Sequence, residues 1–320
     1  MKYLQYNMLA LLIGFVLDLL IGDPEGWPHP VIWIGRFISF MEKKLRARGG
    51  DLRRGAVLLT ASAVLLTMAV TAAVVFLLSL WGDIPLLAGM SVIAWLCLAA
   101  KSLYKEGRGV EKALAVSLEA GRKQVGRIVG RDTRQLSEPE IIRAAVETVA
   151  ENAADGVIAP MLFFFVGGPV LAMGFKAAST LDSMVGYLDE KYRDIGWSSA
   201  RLDDILNFIP ARLCGPLLCL AASLTGLDGK NALRIMKRDH ANHLSPNCAW
   251  SEAAAAGALH IRLGGSHEYF GKRIDKPSIG DDDRPCQRAD IRRAGRMMLV
   301  SAALFAAILC ILVILGSILL

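Results

Sequence analysis

Three carboxylates at four-residue spacing, Glu147, Glu151 and Asp155, are the residues best placed to do chemistry. On an α-helix, side chains at this spacing fall within roughly 80° of one face. Like charges there repel one another, and Mg²⁺ relieves such repulsion by binding one or two carboxylates together with substrate phosphate oxygens. The pattern predicts a metal site at these three residues. A solvated acidic face that pairs with nearby arginines is the alternative interpretation.

A second polar group follows within the next apolar stretch. Lys176, Thr180, Ser183 and Tyr187 recur at helical spacing, where an ammonium and several hydroxyls would bind a phosphate. Hydroxyl-bearing faces are also ordinary packing surfaces between membrane helices, so this signal is weak by itself.

A third group lies in the segment RLDDILNFIPAR. Asp203 and Asn207 are one helical turn apart, and Arg212 stands within an apolar run. An unpaired arginine in such a run is costly, so Arg212 requires an anionic partner from the protein or from a ligand. Two outlying segments add His29, in a rigid proline-rich turn, and Asn247.

The elements that must position these groups are membrane helices. Hydrophobic residues make up 54% of the 320 residues, charged residues 21%, and the mean hydropathy is +0.42. These values exclude an ordinary soluble domain. Helical residues rise about 1.5 Å each, so about 20 apolar residues cross the hydrocarbon layer. Four segments are predicted to span it, namely 7–22, 55–80, 84–103 and 297–320.

Two further apolar stretches are interrupted. Gly167, Gly168 and Pro169 break the stretch 157–181, and Pro210, Arg212 and Pro216 break the stretch 206–226. Both resemble paired half-helices. Lys and Arg concentrate in the segments 23–54, 105–156 and 227–296, which the positive-inside rule places in the cytoplasm. The basic residues of 182–204 favour re-entrant hairpins, and two ordinary crossings are the alternative.

The predicted fold class is therefore all-α: a polytopic integral membrane protein with about four full transmembrane helices, two broken or re-entrant hairpins and cytoplasmic helical segments. Cytoplasmic helices are predicted over 109–128 and 139–155, the latter with a capping box of Ser137 and Glu140. A surface loop is predicted over 264–290. The chain is expected to form one membrane-embedded domain, 1–320, divided into 1–104, 105–156, 157–226, 227–296 and 297–320. The six cysteines show no C-x-x-C spacing, so neither disulfides nor a structural zinc are expected.

Six motifs carry a resemblance that extends over nearly the whole chain. In order they are DLLIGDPEGWPHPVIWIGR, ETVAENAADGVIAPM, FKAASTLDSMVGY, RLDDILNFIPARL, SPNCAW with SEAAAAGAL, and KPSIGD. Together they resemble the CobD/CbiB family of cobalamin biosynthesis, the adenosylcobinamide-phosphate synthases. Small departures at Ala249, Ser251 and the GGSHEYFG segment concern local loop geometry.

The resemblance implies a multi-pass inner-membrane enzyme with a cytoplasmic active site. Such an enzyme joins (R)-1-amino-2-propanol, or its O-phosphate, to the f-propionate carboxylate of adenosylcobyric acid through an amide bond. It implies ATP as cosubstrate and Mg²⁺ as cofactor. Other membrane enzymes of late cobalamin assembly are possible partners besides the lipid bilayer, and no nucleic acid is expected. The chain contains no P-loop and no dinucleotide fingerprint, so a nucleotide site would be of an unusual kind.

On this interpretation the site residues take three roles. The metal ligands are Glu147, Glu151 and Asp155, and the candidate general bases are Asp182, Asp203 and Asp204. The substrate- and phosphate-binding residues are His29, Lys176, Thr180, Ser183, Tyr187, Asn207, Arg212 and Asn247. Residue chemistry alone leaves two alternatives, a transporter or channel built on broken helices and a non-enzymatic membrane sensor or scaffold. A transporter predicts inverted repeats, and the sequence contains none.

Overall fold

A computed structural model of the chain describes residues 2–24, 26–130, 132–187, 189–269 and 272–319. Over this part the chain is almost entirely helical, which confirms the predicted fold class. The helices are α1 (Lys2–Ile21), α2 (Pro30–Arg48), α3 (Leu52–Ser79), α4 (Asp83–Cys97), α5 (Ala100–Val116), α6 (Leu118–Val125), α7 (Glu138–Ala153), α8 (Ala159–Val185), α9 (Trp197–Leu206), α10 (Phe208–Leu224), α11 (Gly229–Asp239), α12 (Cys248–Leu259) and α13 (Arg288–Leu319). A π-helical turn, Ala154–Ile158, joins α7 to α8, and strands β1 (Leu263–Tyr269) and β2 (Lys272–Ile279) precede α13.

Five helical runs are long and apolar enough to cross a membrane, so the protein is a multi-pass membrane protein. The runs are Tyr3–Ile21, Leu52–Ser79, Asp83–Val116, Glu138–Val185 and Arg288–Leu319. The predicted span 84–103 lies within one of these runs, and the spans 7–22, 55–80 and 297–320 each extend one residue beyond theirs. The run Glu138–Val185 contains the stretch 157–181, which was expected to be broken.

That break is present in α8 and has a clear cause. Gly168 adopts φ 62° and ψ −159°, and Pro169 follows it. Proline has no N–H, so the carbonyl four residues earlier, on Phe165, loses its helical donor. The side chain of Asn7, which is fully buried on α1, replaces that donor at 3.2 Å. A kink in one span is thus stabilised by a polar side chain from another.

The second predicted break occurs at a different place. The pair α9 and α10 bends by 49° at Asn207, whereas α10 continues through Pro210 and Pro216. Pro210 lies in the first turn of α10, where its missing N–H costs no helical hydrogen bond. The prediction that the prolines interrupt this stretch was therefore wrong, although the stretch is broken.

Several elements outside the predicted spans also differ from prediction. The predicted helix 109–128 begins earlier, at Ala100, and divides at Ser117, whose hydroxyl accepts from the N–H of Ala120 at 3.1 Å to cap α6. The helix predicted over 139–155 is confirmed as α7, with its capping box. Helix α2 was missed, although His29 caps it and Pro30 occupies its first position.

The segment predicted as a loop over 264–290 contains an antiparallel hairpin instead. Strand β1 pairs with β2 from Leu263 opposite Ile279 to Tyr269 opposite Lys272, with an irregular register between Gly264 and Gly265. Both glycines have positive φ, which permits the extra residue of a bulge. Since glycine and proline interrupt the alternating pattern, the sequence gives no strand signal here.

Contacts between Cα atoms divide the chain into two compact units. The first unit consists of 1–99, 159–207 and 308–320, and the second of 100–158 and 208–307. In the first unit, the lack of a side chain at Gly14 permits the close approach of α1 and α4, since an added Cβ would lie 2.5 Å from Ala94. In the second unit, Gly257 permits the close approach of α11 and α12, since an added Cβ would lie 2.7 Å from the carbonyl of Asn231. The single membrane domain expected from the sequence stays a prediction.

Candidate active site

The predicted site residues divide between the two units, and each group is described by itself. The first unit holds His29, Lys176, Thr180, Asp182, Ser183, Tyr187, Asp203, Asp204 and Asn207. The second unit holds Glu147, Glu151, Asp155, Arg212 and Asn247.

In the second unit, helix α7 presents its carboxylates to defined donors. Glu147 accepts a hydrogen bond from the backbone N–H of Gly264 at 2.8 Å, and Glu151 accepts one from the Cys248 thiol at 3.1 Å. Asp155 follows in the π-helical turn, which shifts the helical register just after α7. Such turns often mark functional positions in helices.

The Cys248 thiol is surrounded by negative charge. It is the first residue of α12, and burial raises its pKa well above the ordinary value. The carboxylates of Glu151, Asp155 and Glu252 raise this pKa further, and Glu252 is itself only 3% exposed. The raised pKa favours the protonated thiol, which donates the hydrogen bond to Glu151. We call these four residues the acidic cluster.

The sequence analysis predicted only two members of the acidic cluster, Glu151 and Asp155. Cys248 and Glu252 were not among the predicted site residues, although they lie four residues apart on one face of α12 and Cys248 directly follows the predicted Asn247. Among the residues that the structure describes, no group of three or more His, Cys, Asp or Glu side chains is arranged to hold a metal ion. The metal role of Glu147, Glu151 and Asp155 stays a prediction.

Two other predicted residues of the second unit lie together. One guanidinium nitrogen of Arg212, Nη1, donates to the carbonyl of Phe208 at 2.8 Å and to Oδ1 of Asn247 at 3.3 Å. Asn247 immediately precedes α12 and is only 4% exposed. The fold thus joins one residue of the RLDDILNFIPARL motif to one of the SPNCAW motif.

In the first unit, His29 and Lys176 form a second polar region. His29 Nδ1 accepts from the N–H of Val31 at 3.2 Å, and the ring hydrogen-bonds to the backbone of Leu96. Lys176 donates to the carbonyl of Cys97 at 3.1 Å. We call His29 and Lys176 the cationic pair after their residue types, although only Lys176 carries a charge when His29 is neutral.

The cationic pair uses carbonyls at the carboxyl end of α4. This helix ends at Cys97, and Leu98 has an extended backbone, so the helical hydrogen-bond pattern stops there, and the N–H of Leu98 bonds to the carbonyls of Ala94 and Trp95. Burial lowers the pKa of His29, the positive charge of Lys176 lowers it further, and the carboxylate of Asp23, 3.9 Å away, opposes both effects. His29 is therefore biased toward its neutral form.

The hydroxyls predicted to bind phosphate also contact the protein. Thr180 and Ser183 donate to the carbonyls of Lys176 and Ser179, one turn earlier, at 2.7 and 2.9 Å. This is the usual bond of hydroxyls in membrane helices, and their oxygens remain acceptors. Tyr187 is 42% exposed and lies beside the ring of Tyr192, with centroids 5.9 Å apart. Their phosphate role stays a prediction.

The three candidate general bases occupy two places in the first unit. Asp182 lies on α8 against Gly186, where an added Cβ would be 1.9 Å from Oδ1. Asp203 and Asp204 lie on α9, and Asp203 accepts from Nδ2 of Asn207 at 3.0 Å. This contact joins two residues that the sequence placed one helical turn apart, and the roles of the three aspartates as bases stay predictions.

Comparison with known proteins identifies the family. The model of the family described as CobD/Cbib protein matches residues 11–298. The chain belongs to the CobD/CbiB family. Cobalamin biosynthesis protein CobD of Citrobacter koseri is 50% identical over 318 residues, covering 96% of this chain and 99% of the relative. The CobD protein of Geobacter metallireducens is 50% identical over 290 residues, covering 90% and 91%.

A third relative carries the other family name. Cobalamin biosynthesis protein CbiB of Salmonella typhimurium is 50% identical over 316 residues, covering 95% of this chain and 96% of the relative. No solved structure matches the chain. The CobD/CbiB match contains every predicted site residue, from His29 to Asn247, together with Cys248 and Glu252. Both the acidic cluster and the cationic pair therefore lie within the family region.

Proposed function

We propose that this CobD/CbiB protein acts in cobalamin biosynthesis as an amide-forming ligase. It joins (R)-1-amino-2-propanol, or its O-phosphate, to the f-propionate carboxylate of adenosylcobyric acid, with ATP as cosubstrate and Mg²⁺ as cofactor. The product is adenosylcobinamide or its phosphate.

The observation that carries the proposal is the acidic cluster, in a chain whose curated relatives are named cobalamin biosynthesis proteins. Three carboxylates around one buried thiol contribute negative potential at this place. The two reactants that such a potential attracts are a divalent cation and the ammonium group of the amine. Both are required by an amide ligase that uses a protonated amine and a nucleotide.

The chemistry explains why a nucleotide is needed. Condensation of a carboxylate with an amine is uphill in water, so the propionate must first gain a leaving group. Transfer of the γ-phosphoryl group from ATP to the carboxylate gives an acyl phosphate and ADP. The neutral amine, having lost one proton to a base, then attacks the carbonyl carbon, and inorganic phosphate leaves as the C–N bond forms.

The proposed roles follow the side-chain chemistry. Glu147, Glu151 and Asp155 would hold Mg²⁺, which neutralises phosphate charge, in combination with substrate oxygens. Asp182, Asp203 and Asp204 are the proposed bases for the ammonium. Phosphate and carboxylate groups would be bound by His29, Lys176, Thr180, Ser183, Tyr187, Asn207, Arg212 and Asn247.

The proposed location is the inner membrane, with the site facing the cytoplasm. Basic residues concentrate in the segments 23–54, 105–156 and 227–296, and the positive-inside rule assigns such segments to the cytoplasmic side. The nucleotide is available on that side.

The test measures the corrinoid product that the full chain forms in proteoliposomes. Adenosylcobyric acid, MgATP and either aminopropanol or its phosphate are supplied, and corrinoid products are separated by mass. We expect one amide product per ADP released, with one of the two amines preferred. Omission of ATP, or its replacement by a non-hydrolysable analogue, should abolish the product.

Two results would overturn the proposal. Corrinoid movement across the vesicle membrane without any change in corrinoid mass would indicate a transporter. Amide formation at an equal rate without nucleotide would exclude the ligase mechanism.

A further inference from the structure

Arg212 lies in a stack of rings that the predicted site did not include. Its guanidinium carbon is 3.5 Å from the centroid of the Phe208 ring and 5.1 Å from that of the Trp250 ring. The ring of His240 packs on Trp250, with centroids 4.4 Å apart. All four residues belong to the second unit. Stacking of this kind holds the guanidinium plane in a fixed orientation.

The stack leaves most of the guanidinium edge available. Nη1 is used by the carbonyl of Phe208 and by Asn247, which are both uncharged acceptors. Within the described ranges of the chain, Nε and Nη2 make no hydrogen bond and no carboxylate pairs with Arg212. By contrast, Arg234 and Arg238 of the same unit both pair with Asp281. Arg212 is thus a half-buried cation without a protein counter-ion among the described residues.

A second donor in the stack also lacks an acceptor. The indole Nε1–H of Trp250 is buried and has no hydrogen-bond partner in the described part of the protein. A buried donor left unsatisfied costs about 1–3 kcal/mol, so native proteins rarely keep one without a reason. An unsatisfied indole N–H beside an uncompensated guanidinium calls for one acceptor-rich anion.

We propose that Arg212 and Trp250 form a subsite for an oxyanion of the substrate. The planar guanidinium edge binds two oxygens in the bidentate manner typical of arginine with carboxylates and phosphates. The Trp250 N–H donates to the same group, and the rings of Phe208 and His240 hold the two donors in position. This inference rests on the proposed function for the source of the oxyanion, which is either the phosphate of the amine or a propionate of the corrinoid.

The experiment measures anion binding without catalysis. The full chain in detergent is titrated with inorganic phosphate or with propionate, and the melting temperature is followed at constant ionic strength. A ligand that binds only the folded state raises the melting temperature in proportion to its affinity. We expect one of the two anions to stabilise the protein with a saturating dependence, which identifies the source. If neither anion stabilises it, the subsite is excluded.

Three variants assign the effect to residues. Arg212→Gln should weaken binding of the effective anion by about tenfold or more, because hydrogen bonds to charged groups are strong. Trp250→Phe keeps a ring of similar shape and removes only the N–H, so a loss of about fivefold is expected. Arg234→Gln is the matched control, since its charge is already paired, and should bind the anion like the wild type. Equal losses in both arginine variants would show general charge screening and would overturn the subsite.

Binding and turnover separate this inference from the proposed function. Amide formation with no anion stabilisation, or with Arg212→Gln and Trp250→Phe binding the anion as the wild type does, overturns the subsite alone. Anion stabilisation that Arg212→Gln and Trp250→Phe weaken, in a protein that forms no amide product, retains the subsite and overturns the proposed reaction.

Discussion

The acidic cluster and the cationic pair keep charge in a membrane protein by opposite means. In the acidic cluster, an S–H group donates to Glu151, and in the neighbouring contact the N–H of Gly264 donates to Glu147. In the cationic pair, the donors are the side chains, and the acceptors are backbone carbonyls near the end of α4. The carboxylates thus accept from donors in later segments, whereas the donors of the cationic pair bond to carbonyls near a helix terminus.

Basic side chains and carboxylates therefore need different surroundings in this fold. A helix that ends within the fold exposes carbonyls and carries partial negative charge at its carboxyl end, which suits Lys176 and His29. Carboxylates need N–H or S–H groups, and these come here from a β-bulge and from the first turn of α12. We expect substitutions in the acidic cluster to change the reaction rate, and substitutions in the cationic pair to change substrate affinity and stability.

The largest expected effect is on the acidic cluster. Glu151→Gln retains the shape and an oxygen acceptor for Cys248 but removes the charge, so turnover should fall by about a hundredfold or more. Product formation per minute in the proteoliposome assay measures this. The exposed carboxylate Glu119 on α6 gives the matched control, Glu119→Gln, which should keep full turnover. Full turnover in Glu151→Gln would remove it from the reaction.

A smaller effect is expected from the donor that holds Glu151. Cys248→Ala removes the S–H group, and turnover should fall by about tenfold because partners that orient a ligating carboxylate contribute to this extent. Cys248→Ser supplies a hydroxyl donor at the same place and should recover most of the activity. If the alanine and serine variants are equally impaired, packing rather than hydrogen bonding explains the role of Cys248.

The cationic pair should affect affinity instead of rate. Lys176→Met keeps the alkyl chain and removes the ammonium, so the apparent KM for a phosphorylated amine should rise about fivefold, the equivalent of one hydrogen bond of ~1 kcal/mol. The exposed Lys43→Met variant is the control. An unchanged KM in Lys176→Met would place this lysine outside the substrate site and would exclude a role of the cationic pair in substrate affinity.

The smallest effect concerns pH. Because the pKa of His29 is lowered in the fold, the unfolded chain binds a proton more readily than the folded protein. The stability that neutral His29 contributes is therefore complete above its ordinary pKa of about 6.5 and is lost as the pH falls below it. His29→Asn preserves an oxygen acceptor that can cap α2 and removes the titrating ring.

The measurement is the melting temperature in detergent at about pH 7.5 and about pH 5.5. The wild type should lose about 1–2 °C more than His29→Asn on acidification. An identical loss in both proteins would show that His29 does not titrate in this range.

The sequence predicted helical and membrane features well because they depend on local composition. Pro169 and Gly168 indicated the kink in α8, and Ser137 with Glu140 indicated the start of α7. The sequence predicted the break near α10 at the wrong residues, and for Pro210 the reason is that it lies in the first turn, where its missing N–H costs no helical hydrogen bond. The hairpin was missed because glycine and proline obscure its alternation.

Composition and apolar pattern are enough to identify a helical membrane protein with polar groups near its apolar runs, where such groups are costly. Hydrocarbon requires backbone hydrogen bonds to be satisfied within each segment, so apolar length alone specifies the spans. Which polar groups contact one another is visible only in the folded protein. Glu151 and Cys248 are 97 positions apart, and Lys176 and Cys97 are 79 apart. Such partners depend on packing between distant helices, and spacing along the chain carries no record of that packing.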